Sequence, residues 1–237
     1  MERTQEHSIQ RDQQREELLS ALQGRADFYS LIASLFFRPL TQAQIDGVAE
    51  ADLSSFAGLN EEFDRGVNDI ARALRKRNTG TREQLATDYT GAFVGTKTYE
   101  MKNAVPFESV FTSEEGLLCR ESFHEVRAMF RKAAFKVRED DALPDDHLGY
   151  LCEFVSALTR RAAESLRDGR RDDAVRDLED ADRCRDEHIL NWYGSFCERA
   201  RKLVETRFYR GVLEMAEGYF AFDRSISDDL IAGARTF

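Results

Sequence analysis

The densest group of ionisable side chains is the run Leu143-Pro-Asp-Asp-His-Leu148, preceded by Glu139, Asp140 and Asp141. An Asp beside a His can orient a general base, and a metal-dependent hydrolase would centre on Asp146 and His147. Adjacent residues at a helix start project in different directions, however, and no Ser or Cys nucleophile is evident. Helix physics accounts for the acids without chemistry. Asp145 reads as an N-cap, and Asp146 falls in the first turn, where the macrodipole favours an anion. His147 is left over, because a helix N-terminus disfavours imidazolium. For recognition, a carboxylate and an imidazole beside a groove can accept and donate hydrogen bonds to an arginine-bearing peptide.

The second group is Val105-Pro-Phe-Glu-Ser-Val-Phe111, where a proline, two aromatics and a Glu interrupt a helical chain. Phe107 and Phe111 either plug the core beneath a loop or wall a groove. Two further patterns fail on spacing. Gly91-Ala-Phe-Val-Gly95-Thr-Lys97-Thr98 misses the phosphate-loop spacing, and a helix precedes it where a strand is needed. Cys184 and His188 lie four apart on one helix, yet no second pair completes a metal site. Cys119, Cys152, Cys184 and Cys197 are widely spaced with no CxxC, which suits reduced, packed thiols. The residues call for no metal and no cofactor.

The chain has 237 residues, enough for one domain with a sizeable core. Its 34 basic and 44 acidic side chains give a net charge of -10, which argues against nucleic acid and favours a cationic peptide or a basic protein patch. The longest apolar stretch, Leu31 to Phe37, is far short of a membrane span, and the polar N-terminus lacks the apolar core of a secretory signal. A cytoplasmic protein without an integral membrane segment is expected.

Few prolines, few β-branched runs and abundant Ala, Leu, Glu and Arg predict an all-α fold, a single-domain helical bundle. The first helix is expected from about residue 10 to Phe37, stopping before Pro39. Short helices follow near 42 to 51 and 60 to 77. Thr81 to Gln84 reads as a capping box, opening a helix with Leu85, Tyr89, Ala92 and Phe93 on one face. After a loop from Gly95 to Pro106, Thr112 to Glu115 reads as a second capping box, for a helix through about Lys132 with Leu118, Val126, Met129 and Phe130 inward. Leu148, Leu151, Val155, Leu158 and Ala162 mark the next helix. The mixed charges from Arg167 to Asp186 read as a solvated helix face or surface turn. Two aromatic stripes, Ile189 to Leu203 and Phe208 to Tyr219, close the chain.

Taken in order, Ala26-Asp-Phe-Tyr-Ser-Leu-Ile-Ala-Ser-Leu-Phe-Phe-Arg-Pro39, Asp88-Tyr-Thr-Gly-Ala-Phe-Val-Gly95, Pro106-Phe-Glu-Ser-Val-Phe111 and Pro144-Asp-Asp-His-Leu148 resemble the TorD/DmsD family of redox-enzyme maturation chaperones, related to the NarJ type. All three prolines fall inside these segments. The resemblance spans roughly residues 25 to 220; it implies a TorD-like domain over 25–237, with residues 1–24 an extension leading into the first helix. It also implies a chaperone, not an enzyme, that binds the twin-arginine signal peptide of the apo form of a molybdopterin oxidoreductase and withholds export until the cofactor is inserted. The peptide-binding residues it implies are Tyr89, Ala92, Phe93, Pro106, Phe107, Asp146 and His147. Ala92 stands where the family more often has Leu, which widens or shallows the apolar pocket. Monomer and exchanged dimer are both compatible with the sequence.

Two other classes compete. The hydrolase centred on Asp146 and His147 requires stoichiometric metal coupled to turnover. A helical regulatory adaptor would bind a folded partner through the charged 167–186 region, and charge swaps there would cost the partner while sparing peptide binding.

Overall fold

A computed structural model describes residues 2–51, 57–95, 97–100, 102–137 and 143–237, with side chains described from residue 10 onward. Glu139, Asp140 and Asp141 lie outside the described residues. Every regular element among those described is helical: α1 (Glu2–Phe37), α2 (Gln42–Glu50), α3 (Glu61–Arg75), α4 (Thr81–Phe93), α5 (Glu108–Thr112), α6 (Glu121–Lys132), α7 (Leu148–Arg167), α8 (Arg171–Cys184), α9 (Leu190–Ala200) and α10 (Arg207–Thr236). A π-turn, Arg185–Ile189, joins α8 to α9. The all-α expectation holds.

α1 lies along α7, α10 along α3, and α7 also packs on α8. The main core is aromatic, with Tyr29, Phe36, Phe154, Phe196, Phe208 and Phe220 fully buried. A smaller cluster joins Leu18 and Leu22 of α1 to Leu166, Leu178 and Leu230. α3 and α10 cross at glycines, where a Cβ on Gly218 would stand 2.4 Å from the Phe63 nitrogen and one on Gly66 would stand 2.3 Å from that of Met215. Only residues without a Cβ allow two helix backbones this close. Asn60 locks the crossing, capping α3 through the Phe63 N–H and donating to the Gly218 carbonyl at 2.8 Å.

Several boundaries differ from the sequence expectations. α1 already runs from Glu2, since residues 2–9 contain neither Pro nor Gly to stop a helix. Its end is as expected, and the Tyr89 hydroxyl donates to the Phe36 carbonyl that the helix end leaves unpaired. The capping box lies at Thr41 and Gln44. Thr81 is instead the first residue of α4; its Oγ1 accepts from the Asn78 N–H and closes the preceding turn. Thr112 to Glu115 opens no helix. Gly116 and Cys119 have φ of 63° and 57°, which breaks the chain between α5 and α6 and leaves Leu118 exposed.

The charged 167–186 region is helix, but it is not merely solvated. Its inner face buries Ala174, Leu178, Ala181 and Cys184, and Asp177 receives a two-pronged bond from Arg161 at 2.6 and 2.7 Å. Arg25 and Arg185, both buried, meet Asp182 and Asp223 within 3.0 Å and tie α1, α8 and α10 together.

Candidate functional site

The PFESVF and PDDHL segments fold against each other. Leu148 N–H donates to the Pro106 carbonyl at 2.9 Å and Glu108 N–H to the Asp146 carbonyl at 3.1 Å, a two-residue antiparallel bridge between Phe107 and His147. Each segment then caps a helix. The Asp146 carboxylate accepts from the Ser109 N–H at 2.9 Å, so it caps α5 from 37 residues away. His147 is the N-cap of α7, its Nδ1 accepting from the Gly149 N–H at 3.0 Å. The expectation that Asp145 caps this helix is thus corrected: Asp145 lies 3.6 Å from Arg127, in a partly exposed ion pair. A neutral imidazole can accept where a carboxylate would also serve, and the helix starts two residues later than the acidic pattern indicates.

Both side chains are sealed off. Asp146 is fully buried and His147 is 2% exposed, so the expectation that they are free for a partner is corrected for this conformation. The His147 ring stacks on Phe37 with centroids 5.6 Å apart and meets Phe107 edge-on at 4.9 Å. Burial among rings pulls its pKa down to about 3, keeping it neutral. Burial likewise raises Asp146, opposed by its bonds with Ser109.

The other residues implied by the resemblance are buried too. Tyr89 serves the end of α1, and Ala92 is fully enclosed. Phe93 packs edge-on with Phe36 and Tyr209, Pro106 is buried within the bridge, and Phe107 is 8% exposed. The structure brings Pro106, Phe107, Asp146 and His147 together; Tyr89, Ala92 and Phe93 belong to the core beneath.

Beside this bridge opens a cavity of about 1120 Å³, walled by the α5–α6 connection and α6 on one side and by α8, the π-turn and Asn191 on the other. Glu108 of the PFESVF segment forms its floor. That carboxylate is 2% exposed; His188 Nδ1 lies 3.0 and 3.3 Å from its two oxygens, and Asn191 donates to it at 2.9 Å. Burial raises Glu108, with both bonds opposing. Burial pulls His188 down, but the bond to Glu108 and its charge outweigh this and leave it raised.

The walls are acidic. Glu114, Glu115, Glu121 and Glu125 line one side, Asp180 and Glu187 the other, against Arg120, Lys132 and Arg183. Arg120 pairs with Glu115, and both Lys132 and Arg183 pair with Asp180. Among the described residues no basic side chain forms an ion pair with Glu114, Glu121, Glu125 or Glu187. Leu117 and Leu118, in the connection that forms the rim, are nearly half exposed. Among the same residues no group of three or more His, Cys, Asp or Glu side chains is placed to hold a metal, and no helix is long and apolar enough to cross a membrane.

Glu108 and His188 lie 80 residues apart, and no local spacing in the sequence joins them. Glu121, Glu125 and Glu187 belong to no local motif; the sequence signal for them is the net charge of the whole chain.

Residues 57–198 match the model of the nitrate reductase delta subunit family, more than half of the chain. The chain belongs to this family, the NarJ/TorD-type chaperones. It is similar to the chaperone protein TorD of Vibrio vulnificus (strain YJ016), 26% identical over 213 residues that cover 88% of this chain and 96% of the relative. The TorD of Vibrio cholerae (strain N16961) is 25% identical over 220 residues, covering 91% and 97%. That of Vibrio parahaemolyticus is 26% identical, covering 84% and 92%. The family and these relatives are chaperones, not catalysts, which removes the hydrolase reading of Asp146 and His147.

Proposed function

We propose that this redox-enzyme maturation chaperone acts in the cytoplasm, binding the twin-arginine signal peptide of a precursor molybdopterin oxidoreductase and withholding export until the cofactor is in place. The observation that carries the reading is the acidic cavity built on the PFESVF segment, in a chain of net charge -10. A twin-arginine signal is a cationic stretch followed by an apolar one. The cavity offers carboxylates on its walls that have no ion-pair partner among the described residues, and exposed leucines in its rim connection, so it matches both halves. In this reading Phe107, Asp146 and His147 hold the wall that carries Glu108, and Tyr89, Ala92 and Phe93 support it from the core.

The test is direct binding. Fluorescence anisotropy with a labelled peptide, carrying two consecutive arginines and then a leucine-rich segment, should show saturable binding that weakens with salt, because charge attraction is screened. A scrambled peptide of equal composition should bind markedly less. Equal binding of the two peptides, or none of either, overturns the reading.

A further inference from the structure

The cavity has a direction. α6 presents Glu121, Ser122, Glu125, Ala128, Met129 and Lys132 to it, a continuous face over three turns, roughly 16 Å long at ~1.5 Å per residue. Opposite, Asp180, Arg183, Glu187, His188 and Asn191 run over a similar length. Lys132 meets Asp180 at 3.6 Å, and Glu125 acts electrostatically on His188, so the two walls run antiparallel, with Glu125 and Glu187 at one level.

The two ends differ. At the Lys132 end the one carboxylate that lines the trough among the described residues, Asp180, is shared by Lys132 and Arg183 and is already neutralised. At the Glu121 end the wall carboxylates Glu121, Glu125 and Glu187 face one another across the trough, with no ion pair among the described residues. Ser122 lies between the two α6 acids; it is 7% exposed, lines the cavity, and its Oγ has no hydrogen-bond partner among the described residues. A buried hydroxyl left unpaired beside unpaired carboxylates is what a donor-rich guanidinium would satisfy. Between the ends the lining turns apolar at Ala128 and Met129, and the fully buried Phe154 borders it.

We infer that the signal peptide lies along this trough parallel to α6, its paired arginines between Glu125 and Glu187 and its apolar segment over Ala128 and Met129 toward Lys132. This rests on the signal-peptide reading above and adds the subsite and the chain direction. The arginines bond to the free carboxylates and to Ser122. The residues that follow them, which carry no charge, meet the apolar middle and pass a neutralised end that offers no competing site. An extended segment at ~3.3 Å per residue needs about five residues to run the trough, so the basic pair and the start of the apolar stretch fit within it together.

The experiment is a double-mutant cycle by isothermal titration calorimetry on the full chain, with the arginine-pair peptide and a counterpart in which both arginines are glutamine. Glu125→Gln with Glu187→Gln should weaken the arginine peptide on the order of tenfold and the glutamine peptide by less than twofold. Glu61→Gln with Glu62→Gln, two exposed α3 carboxylates outside the cavity lining, controls for the change of two in net charge. Both side chains are exposed and neither forms an ion pair among the described residues, so the far-UV spectrum should be unchanged. Equal losses with both peptides, or a larger loss from Asp180→Asn than from the Glu125 and Glu187 pair, overturns the subsite and the direction while leaving peptide binding intact. Failure of the wild-type chain to bind either peptide overturns the functional reading beneath it.

Discussion

Replacing Asp146 should destabilise the fold, and replacing Asp145 should not, the reverse of what the acidic pattern alone implies. The Asp146 carboxylate is fully buried and accepts the Ser109 N–H at 2.9 Å. Asp146→Ala removes a helix cap, typically ~0.5 to 2 kcal/mol, and leaves a buried N–H unpaired, about 1 to 3 kcal/mol; the two overlap, giving roughly 2 to 3 kcal/mol. Asp146→Asn keeps an acceptor oxygen and should cost less, about 1 kcal/mol. Asp145 loses only a 3.6 Å pair with a half-exposed Arg127, about 0 to 1 kcal/mol. Urea unfolding followed by far-UV circular dichroism reads all three, and for a chain of this size the first should lower Tm by roughly 5 to 10 °C. An Asp145→Ala loss equal to or larger than that of Asp146→Ala would refute the crossed-cap geometry.

Two other predictions concern the same wall and the frame behind it. His147 is held neutral down to about pH 3, whereas an unfolded histidine takes up its proton near 6.5. Between these values the unfolded state binds more protons, so stability falls as pH drops from about 6.5 toward 3 and rises with pH across that window. His147→Asn keeps a capping acceptor and removes the titration; its stability should fall less steeply with acid, by up to ~1.4 kcal/mol per pH unit, and parallel curves would contradict the buried neutral imidazole. Gly218→Ala forces a Cβ to 2.4 Å from the Phe63 backbone, so it should unfold at clearly lower urea concentration than Gly233→Ala on the same helix, whose nearest neighbour is a Leu18 side-chain atom at 3.4 Å. Equal midpoints would mean the α3–α10 crossing is looser than described.

What the sequence could show was local. Pro39 ends α1, and steps of three and four from Leu148 to Ala162 mark the buried face of α7. It misplaced starts that depend on distant partners. Asp145, Asp146 and His147 are each plausible caps by residue type, and only the bridge to Pro106 and Phe107 decides that His147 caps α7 while Asp146 caps α5. The break between α5 and α6 rests on left-handed backbone at Cys119 as well as Gly116, which a cysteine does not announce. The motif residues were legible as a group, but their burial was not, because an aromatic or acidic side chain reads alike whether it lines a groove or supports it. The acidic trough was least legible, since Glu125 and Glu187 become neighbours only when α6 and α8 run antiparallel.

The central claim is that a signal peptide occupies the trough between α6 and α8. A photo-crosslinking side chain at Ala128, on the trough face of α6, or at Glu62, on the outer face of α3, tests it with one labelled arginine-pair peptide. The account predicts an adduct from position 128 that unlabelled peptide competes away, and none from position 62. A competed adduct from position 62, or none from position 128 while anisotropy shows the peptide bound, would contradict it.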